Sequence, residues 1–249
     1  MRNIKSEDEL DILRKSGEVS DIGNDKFAEI FAEGKYHHEI ELEVTKTLWE
    51  EAIKRYGQEN YLKANGYIFG SGPYVLAPHS APGNAGRPLQ KGDIIITNSW
   101  ISINGYRIEN ERTWFIGEPT EEQVKAFNAM KQSNIACIEA AVGGNCLADI
   151  DAAAQRILED TGYGEYILHR TGHGKGIGDV TDGHEYPYDM AFNFEPLKPG
   201  MVLSAEPGIY IPQIGAFRFA DNIIITTGEA EHITSLKYKE LENAIIRKD

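Results

Sequence analysis

The feature of this sequence that most constrains its fold is a short segment that occurs twice, once in each half of the chain. Leu89–Asn98 and Leu197–Glu206 each have a leucine, a glycine three positions later, a run of strand-forming residues and a final polar residue. Such self-similarity indicates an internal duplication in which the two halves share one core. We therefore expect Asn98 and Glu206 at equivalent places near a pseudo-two-fold axis, pointing from a shared sheet into a site.

The spacing of apolar residues supports this duplication, because it places two helices ahead of the strands in each half. The predicted helices are 7–31, 38–56, 120–142 and 149–160. Ser6 with Glu9 and Thr120 with Gln123 form capping boxes that start the first and third of these helices. Extended segments are predicted at 67–77, 93–103, 106–116, 166–168, 201–211 and 222–226, and a glycine-rich loop at 172–178. The fold class is therefore α/β (α+β).

Composition narrows the choice of partners and compartment. The chain has 249 residues and a formal net charge of -14, which repels nucleic acids and anionic membranes and suits a substrate with a cationic group. The alternative is that this negative charge only keeps the protein soluble. Cys137 and Cys146 form no metal-binding pattern, and we expect Cys137 in a helix core. Without an apolar leader at the N-terminus, we expect a cytoplasmic location.

Three groups of polar residues are candidates for chemistry, and each has a plainer alternative. Glu206 ends an apolar strand, where a carboxylate needs a cation, a proton or a metal; the alternative is an ion pair with Arg112 or Arg218. Glu109 and Glu111 alternate on one strand and share a face, which is also typical of a solvated polar face. His173 lies among glycines, which leave its ring accessible to a ligand or place it in a flexible surface loop.

The order of several motifs resembles the pita-bread hydrolases, the group of methionine aminopeptidase, Xaa-Pro dipeptidase and creatinase. The matching segments are Lys91-Gly-Asp-Ile-Ile, Gly105-Tyr106 with Arg112-Thr113, His169-Arg-Thr-Gly-His173-Gly, His184-Glu-x-Pro187, Pro199-Gly-Met-Val, and Glu206-Pro-Gly-Ile-Tyr-Ile-Pro followed by Arg218. The resemblance implies the pita-bread fold with its pseudo-two-fold duplication. It also implies cleavage of a C–N bond.

The resemblance further implies that the usual two-metal centre is dismantled. The five ligand positions of the metallopeptidases fall on Asn98, Glu109, His173, Glu206 and Ala220. Asparagine and alanine replace two carboxylates, so a pair of divalent ions would lack the negative charge that holds them together. No metal pair is therefore expected. A single Mn, Co, Zn or Fe ion on Glu109, His173 and Glu206 remains the alternative to having no cofactor.

The departures from the metallopeptidase pattern are similar to creatinase, which lacks the dinuclear centre. That resemblance implies His79 as the general acid/base, and Glu111 and Glu206 as the groups that hold a cationic part of the substrate. His173, His184, Asn98, Glu109 and Arg218 are expected to line the pocket. Two features differ from creatinase: Glu109 is not expected there, and the spacing from His173 to His184 is longer than usual.

We therefore expect residues 1–249 to form a single pita-bread domain, with half-repeats about 1–118 and 119–249 and no N-terminal domain of the creatinase or prolidase type. The predicted function is hydrolysis of a small peptide-like, amide or amidine substrate with a cationic group. The alternatives are a mononuclear aminopeptidase or Xaa-Pro dipeptidase, and an inactive peptide-binding module. The resemblance also implies a homodimer.

Overall fold

The computed structural model describes residues 2–79, 86–178 and 185–248. Its α-helices are α1 (Glu7–Ile30), α2 (His37–Tyr56), α3 (Glu121–Glu139), α4 (Leu147–Asp160) and α5 (Leu241–Ala244). Its strands are β1 (Leu62–Ser71), β2 (Ile94–Ile103), β3 (Tyr106–Ile108), β4 (Glu111–Ile116), β5 (Gly172–Gly174), β6 (Gly176–Ile177), β7 (Glu185–Asp189), β8 (Val202–Ala205), β9 (Gly208–Ile211), β10 (Gly215–Arg218), β11 (Asp221–Ile224), β12 (Glu231–His232) and β13 (Ile245–Ile246). Short 3-10 helices cover Gly72–Leu76, Gly164–Tyr166 and Lys237–Lys239. Within these ranges, no helix has the length and apolar character needed to span a membrane.

Both predicted capping boxes are present. The Ser6 side chain accepts from the backbone N–H of Glu9, and the Glu9 side chain accepts from the backbone N–H of Ser6. Thr120 and Gln123 make the same reciprocal pair at the start of α3. Each pair satisfies donors that a helix start would otherwise leave without partners.

The duplicated segments have the same local geometry. Gly92 and Gly200 occupy matching positions before β2 and β8, and both have a positive φ, of 91° and 86°. The Gly92 N–H donates to the carbonyl of Ile116 over 2.7 Å, and the Gly200 N–H donates to that of Ile225 over 2.9 Å. β2 then pairs antiparallel with β4, as β8 does with β11. The same turn thus leads into the same strand pair in both halves, as the duplication predicts.

Two main sheets carry the helices on one side. The first has the order β13-β4-β2-β3-β6, with β1 also paired to β2, and the second has the order β12-β11-β8-β5-β7. Helices α1 and α2 pack on the first sheet through a core that includes Leu13, Phe27, Val44, Ile95 and Trp114. Helices α3 and α4 pack on the second through a core that includes Cys137, Leu147, Ile150, Leu203 and Ile223. Cys137 is thus a core residue, as predicted.

Two long predicted strands are interrupted where polar residues fall. The segment 106–116 is split into β3 and β4 by Glu109 and Asn110, and 201–211 is split into β8 and β9 by Glu206 and Pro207. Proline cannot donate to a strand ladder, which explains the second break. Continuous alternation through Glu109 and Glu111 was therefore the wrong description of that segment.

Three further segments differ from the prediction. The end of 67–77 is a 3-10 helix rather than a strand, because Pro73 favours a helical first turn. The segment 166–168 follows another 3-10 helix and belongs to no strand. Residues 172–174 and 176–177 form β5 and β6 rather than a loop. Glycine is required in β5 because a Cβ atom on Gly172 would lie 1.9 Å from the Ser204 carbonyl oxygen.

Candidate functional site

The polar residues singled out in the sequence meet on the face of the sheets opposite the helices. In β2, Ile95 points toward α1 and α2, whereas Ile96 packs in a separate cluster on the other face. Asn98 has the same parity as Ile96, so it points away from the helices. In the second sheet, His173 lies opposite Ser204, whose hydroxyl donates to Glu206 Oε2 over 3.2 Å. The duplicated sheets therefore bring their polar strand ends to one centre.

Glu109, His173 and Glu206 form the middle of this centre. His173 Nε2 lies 3.0 Å from Glu109 Oε1 and 3.4 Å from Glu206 Oε1. One ligand atom from each of the three residues lies within 4.8 Å of the others, a grouping that could hold a metal ion. His173 is fully buried and Glu109 nearly so, which excludes both a flexible surface loop and a solvated polar face.

The environment of His173 favours the protonated form of its ring. Nδ1 donates to the Gly174 carbonyl oxygen over 2.9 Å, so Nε2 is the nitrogen that faces the two carboxylates. Burial alone would lower the pKa of His173, but the charges of Glu206 and Glu109 raise it to about 9. The same orientation would present a lone pair on Nε2 to a cation if the ring were neutral.

Lys175 is a member of the centre that the sequence analysis did not single out. Its side chain is fully buried, and Nζ lies 2.5 Å from Glu109 Oε1. Burial alone would raise the pKa of Glu109, but Lys175 and His173 hold it well below the usual value. A signal existed in the sequence, because side chains two positions apart, such as those of His173 and Lys175, lie on the same side of an extended segment.

Glu111 has its own set of donors. Arg218 Nε lies 2.5 Å from Glu111 Oε2, and Asn98 Nδ2 donates to Oε1 over 3.2 Å. Burial raises the pKa of Glu111 to about 8, with Arg218 opposing the shift and the nearby Glu206 and Glu109 charges adding to it. Glu111 and Arg218 therefore form a buried pair. The neighbouring carboxylates disfavour the negative charge of Glu111.

A hydrogen-bonded chain extends from Arg218 to two further residues that were not predicted as site residues. Arg218 Nη1 donates to the Tyr210 hydroxyl oxygen over 3.0 Å, and that hydroxyl lies 2.9 Å from His169 Nε2. His169 Nδ1 donates to the Arg170 carbonyl, so Nε2 accepts from Tyr210. Burial and then Arg218 lower the pKa of His169. Both residues lie inside the quoted motifs, which was the available signal.

The two remaining predicted histidines lie at or beyond the limits of the described chain. His79 is exposed and is the last residue before the first gap in the described ranges. The carbonyl of Pro78, just before it, accepts from Arg218 Nη1 over 2.6 Å, which ties this segment to the centre. His184 lies outside the described residues, so its predicted place in the pocket stays a prediction.

The alternative ion pairs considered for Glu206 are made elsewhere. Arg112 Nη2 lies 2.7 Å from Asp221 Oδ1, and Arg218 Nε pairs with Glu111. The closest described cation to Glu206 is the His173 ring, and the side chain of Glu206 stays 13% exposed. Glu206 is therefore the carboxylate of the centre that is most open to a ligand.

Comparisons with known proteins agree with the motifs. The model of metallopeptidase family M24 matches residues 11–227, which is most of the chain. The chain belongs to metallopeptidase family M24. An uncharacterised peptidase of Staphylococcus aureus strain MRSA252 is 34% identical over 234 residues, covering 94% of this chain and 63% of the relative.

Solved structures of family relatives show the same fold. The prolidase from Pyrococcus horikoshii OT3 superposes with a TM-score of 0.85 at 29% identity, covering 97% of this chain and 65% of its own. The dipeptidase PepE from Mycobacterium ulcerans gives 0.86 at 29% identity, covering 99% and 62%. The predicted pita-bread fold is confirmed. The chain spans less than two thirds of the length of these relatives.

The donor set of this family member does not fit a pair of metal ions. Asn98 offers one neutral oxygen and its amide is engaged with Glu111, while Ala220 offers no side-chain oxygen. Glu109, His173 and Glu206 are ligands of the right type for one ion. However, the Lys175 ammonium already lies against the Glu109 oxygen that would bind it. In this arrangement, Lys175 and Arg218 of the chain itself pair with the carboxylates of Glu109 and Glu111.

Proposed function

We propose that this chain hydrolyses a C–N bond in a small peptide-like, amide or amidine substrate that carries a positive group, without a pair of metal ions. The proposal depends on one observation: Glu109, His173 and Glu206 lie within 4.8 Å of one another, beside the buried pair of Glu111 and Arg218. The relatives named as a prolidase and a dipeptidase support a peptide-like substrate.

Glu206 is assigned the main contact with the positive group of the substrate. Its side chain is 13% exposed, against 5% for Glu109, and an ammonium or guanidinium can approach it with charge-assisted hydrogen bonds. Glu111 is the second carboxylate of this subsite, with its charge shared with Arg218. Together they would fix the substrate with its scissile bond toward His79.

His79 is assigned the proton transfers. Its imidazole accepts a proton from the attacking water and then donates one to the leaving nitrogen, so that the elements of water are added across the C–N bond. An imidazole suits both steps because the ring nitrogen that accepts a proton can later return it. Arg218 supports this role by binding the Pro78 carbonyl, which positions the residue next to it.

A second candidate function is favoured by the same trio of ligands. If one Mn, Co, Zn or Fe ion displaced Lys175 from Glu109, then Glu109, His173 and Glu206 would hold it, as in a mononuclear aminopeptidase or Xaa-Pro dipeptidase. An ion in that place would polarise a carbonyl or activate water. A third outcome is a peptide-binding module without activity.

One assay distinguishes these functions. The 249-residue chain is stripped with chelator, and its hydrolysis of Xaa-Pro and other dipeptides, amino-acid amides and small amidines is measured with and without added Mn²⁺, Co²⁺ or Zn²⁺. We expect turnover of at least one substrate class in the stripped protein, and its loss in His79→Ala by about 10²–10⁴-fold, as for other general acid/base groups. His38→Ala, an exposed histidine on α2, is the matched control.

Other outcomes would refute the proposal. Turnover that requires a stoichiometric metal and survives His79→Ala would establish the mononuclear peptidase. Peptide binding by calorimetry without turnover under any condition would establish the binding module.

A further inference from the structure

The Lys175 side chain is held inside the centre by its backbone neighbours. Its backbone N–H donates to the Val202 carbonyl over 2.8 Å, which fixes the residue beside β8. The glycines on either side are closely packed, since a Cβ on Gly174 would lie 2.8 Å from the Tyr186 carbonyl oxygen and one on Gly176 would lie 2.5 Å from Glu185 Oε2. This packing of the backbone therefore restricts the position of the buried ammonium.

That position coincides with the place of a metal ion. Nζ lies 2.5 Å from Glu109 Oε1, the same oxygen that lies 3.0 Å from His173 Nε2. An ion bound to this oxygen at about 2.0–2.2 Å would lie within about 5 Å of Nζ on any side. A divalent ion and an ammonium at that distance in a buried site repel strongly. The two cations compete for one carboxylate.

The other carboxylate at the β3–β4 junction is also paired with a cation of the chain. Glu109 pairs with Lys175, and Glu111 pairs with Arg218, so each of the two carboxylates at the β3–β4 junction has a cation from the chain. At two positions that the resemblance assigns to metal ligands, Asn98 and Ala220 offer no carboxylate. All of these residues lower the negative charge available to an external ion.

We propose that Lys175 is a built-in cation that takes the place of a divalent metal ion at this centre. It neutralises Glu109 and keeps it beside His173 and Glu206, and it excludes Mn²⁺, Co²⁺ and Zn²⁺ from the three potential ligands. The inference depends on the proposed function only for the location of the centre. It therefore predicts a latent site for one divalent metal ion, which removal of the ammonium opens.

Lys175→Met tests this directly, because methionine is a long, flexible side chain without the charge. Stripped wild type and variant are titrated with Mn²⁺ and Zn²⁺ by calorimetry, and bound Mn²⁺ is followed by electron paramagnetic resonance. We expect no stoichiometric binding by wild type. We expect one site in Lys175→Met. Its affinity should exceed any residual affinity of wild type by about 100-fold or more, because a like charge within about 5 Å has been removed.

Two further variants localise the effect. Lys239→Met removes another buried lysine, one that pairs with Asp221 outside the centre, and is expected to gain no metal binding. Lys175→Met combined with Glu109→Gln is expected to lose the gained site, because the shared ligand is gone. If Lys175→Met does not fold, Lys175→Gln and the wild-type titration give the same test.

Two results would overturn the inference. One is a wild-type protein that binds one Mn²⁺ or Zn²⁺ tightly through Glu109, His173 and Glu206. The other is a folded Lys175→Met that binds metal no better than wild type. Neither measurement uses a substrate, so failure of the proposed hydrolysis leaves a positive metal titration intact, and the two ideas fail separately.

Discussion

At the scale of single residues, the pair of Glu111 and Arg218 shows how buried charges depend on each other. Both side chains are almost fully buried, with Arg218 Nε 2.5 Å from Glu111 Oε2. Removing one partner leaves the other as an unpaired buried charge, which typically costs about 3–5 kcal/mol. We expect Arg218→Met and Glu111→Gln each to lower the free energy of unfolding by roughly that amount, measured by urea denaturation at pH 9, above the pKa of about 8 of Glu111.

The double variant provides the control. Because the pair disappears together, Arg218→Met with Glu111→Gln should lose less stability than the sum of the two single variants, with a coupling of about 1 kcal/mol or more. Additive losses would mean that the two groups act independently, for example through the contacts of Arg218 with Pro78 and Tyr210.

Asp189 presents the opposite case, a buried carboxyl whose ionisation is disfavoured by burial more than it is favoured by the charges of His173 and Arg170. Its side chain is fully buried, and neither oxygen accepts a hydrogen bond from the described residues. Burial raises the pKa of Asp189 well above its ordinary value of 3.8. The folded protein therefore holds a proton that the unfolded chain releases, and stability falls as the pH rises above about 4.

Replacement of this residue should stabilise the protein. Asp189→Asn keeps the shape of the protonated acid and has no proton to lose, so we expect a gain of about 1 kcal/mol or more at pH 7, since each unit of pKa difference between the folded and unfolded states is worth about 1.4 kcal/mol. The gain should shrink toward pH 3, where the wild-type acid is largely protonated in both states. Thermal unfolding of both proteins from pH 3 to 8 measures this, and a gain that is constant with pH would contradict it.

At the scale of elements, β5 depends on a glycine that permits close approach to β8. A Cβ on Gly172 would lie 1.9 Å from the Ser204 carbonyl oxygen, so Gly172→Ala must push the strands apart. We expect a loss of about 1–3 kcal/mol, the usual cost of overpacking, measured by urea denaturation. Gly178→Ala is the matched control, because no described atom lies within 4 Å of its Cβ position. Equal effects of the two substitutions would refute this account.

The same element shows what could and could not be predicted from sequence. The motifs were sufficient to group Glu109, His173 and Glu206, because the ligand positions of a family keep their order along the chain. Glycines at 172–178 hid a strand, since glycine is typical of loops unless a neighbouring strand approaches closely. Lys175 was missed for that reason. Asp189 was missed because its burial depends on distant segments that no local pattern reveals.

At the scale of the whole molecule, Asp221 joins the two halves directly behind the site. Arg112 from β4 reaches Asp221 Oδ1 over 2.7 Å, and Lys239 near the C-terminus reaches Oδ2 over 2.8 Å. Beside them, Glu111 and Ala220 exchange backbone hydrogen bonds of 3.2 Å. One carboxylate thus neutralises two buried cations at the junction between β4 of the first half and β11 of the second.

Asp221→Asn should weaken this junction in a pH-dependent way. Burial alone would raise the pKa of Asp221, but Arg112 and Lys239 hold it far below its ordinary value of 3.8. The ionised carboxylate therefore adds stability above about pH 4, and this is lost as the pH falls toward the folded pKa. With two cations left unpaired, we expect Asp221→Asn to cost about 3–5 kcal/mol at pH 7, and less at pH 3. Urea denaturation at both pH values measures the difference.

Asp11→Asn, from an exposed pair on α1, is the control and should change the free energy of unfolding by less than about 1 kcal/mol. A cost of Asp221→Asn that is equal at pH 7 and pH 3 would show that the carboxylate charge does not hold the halves together.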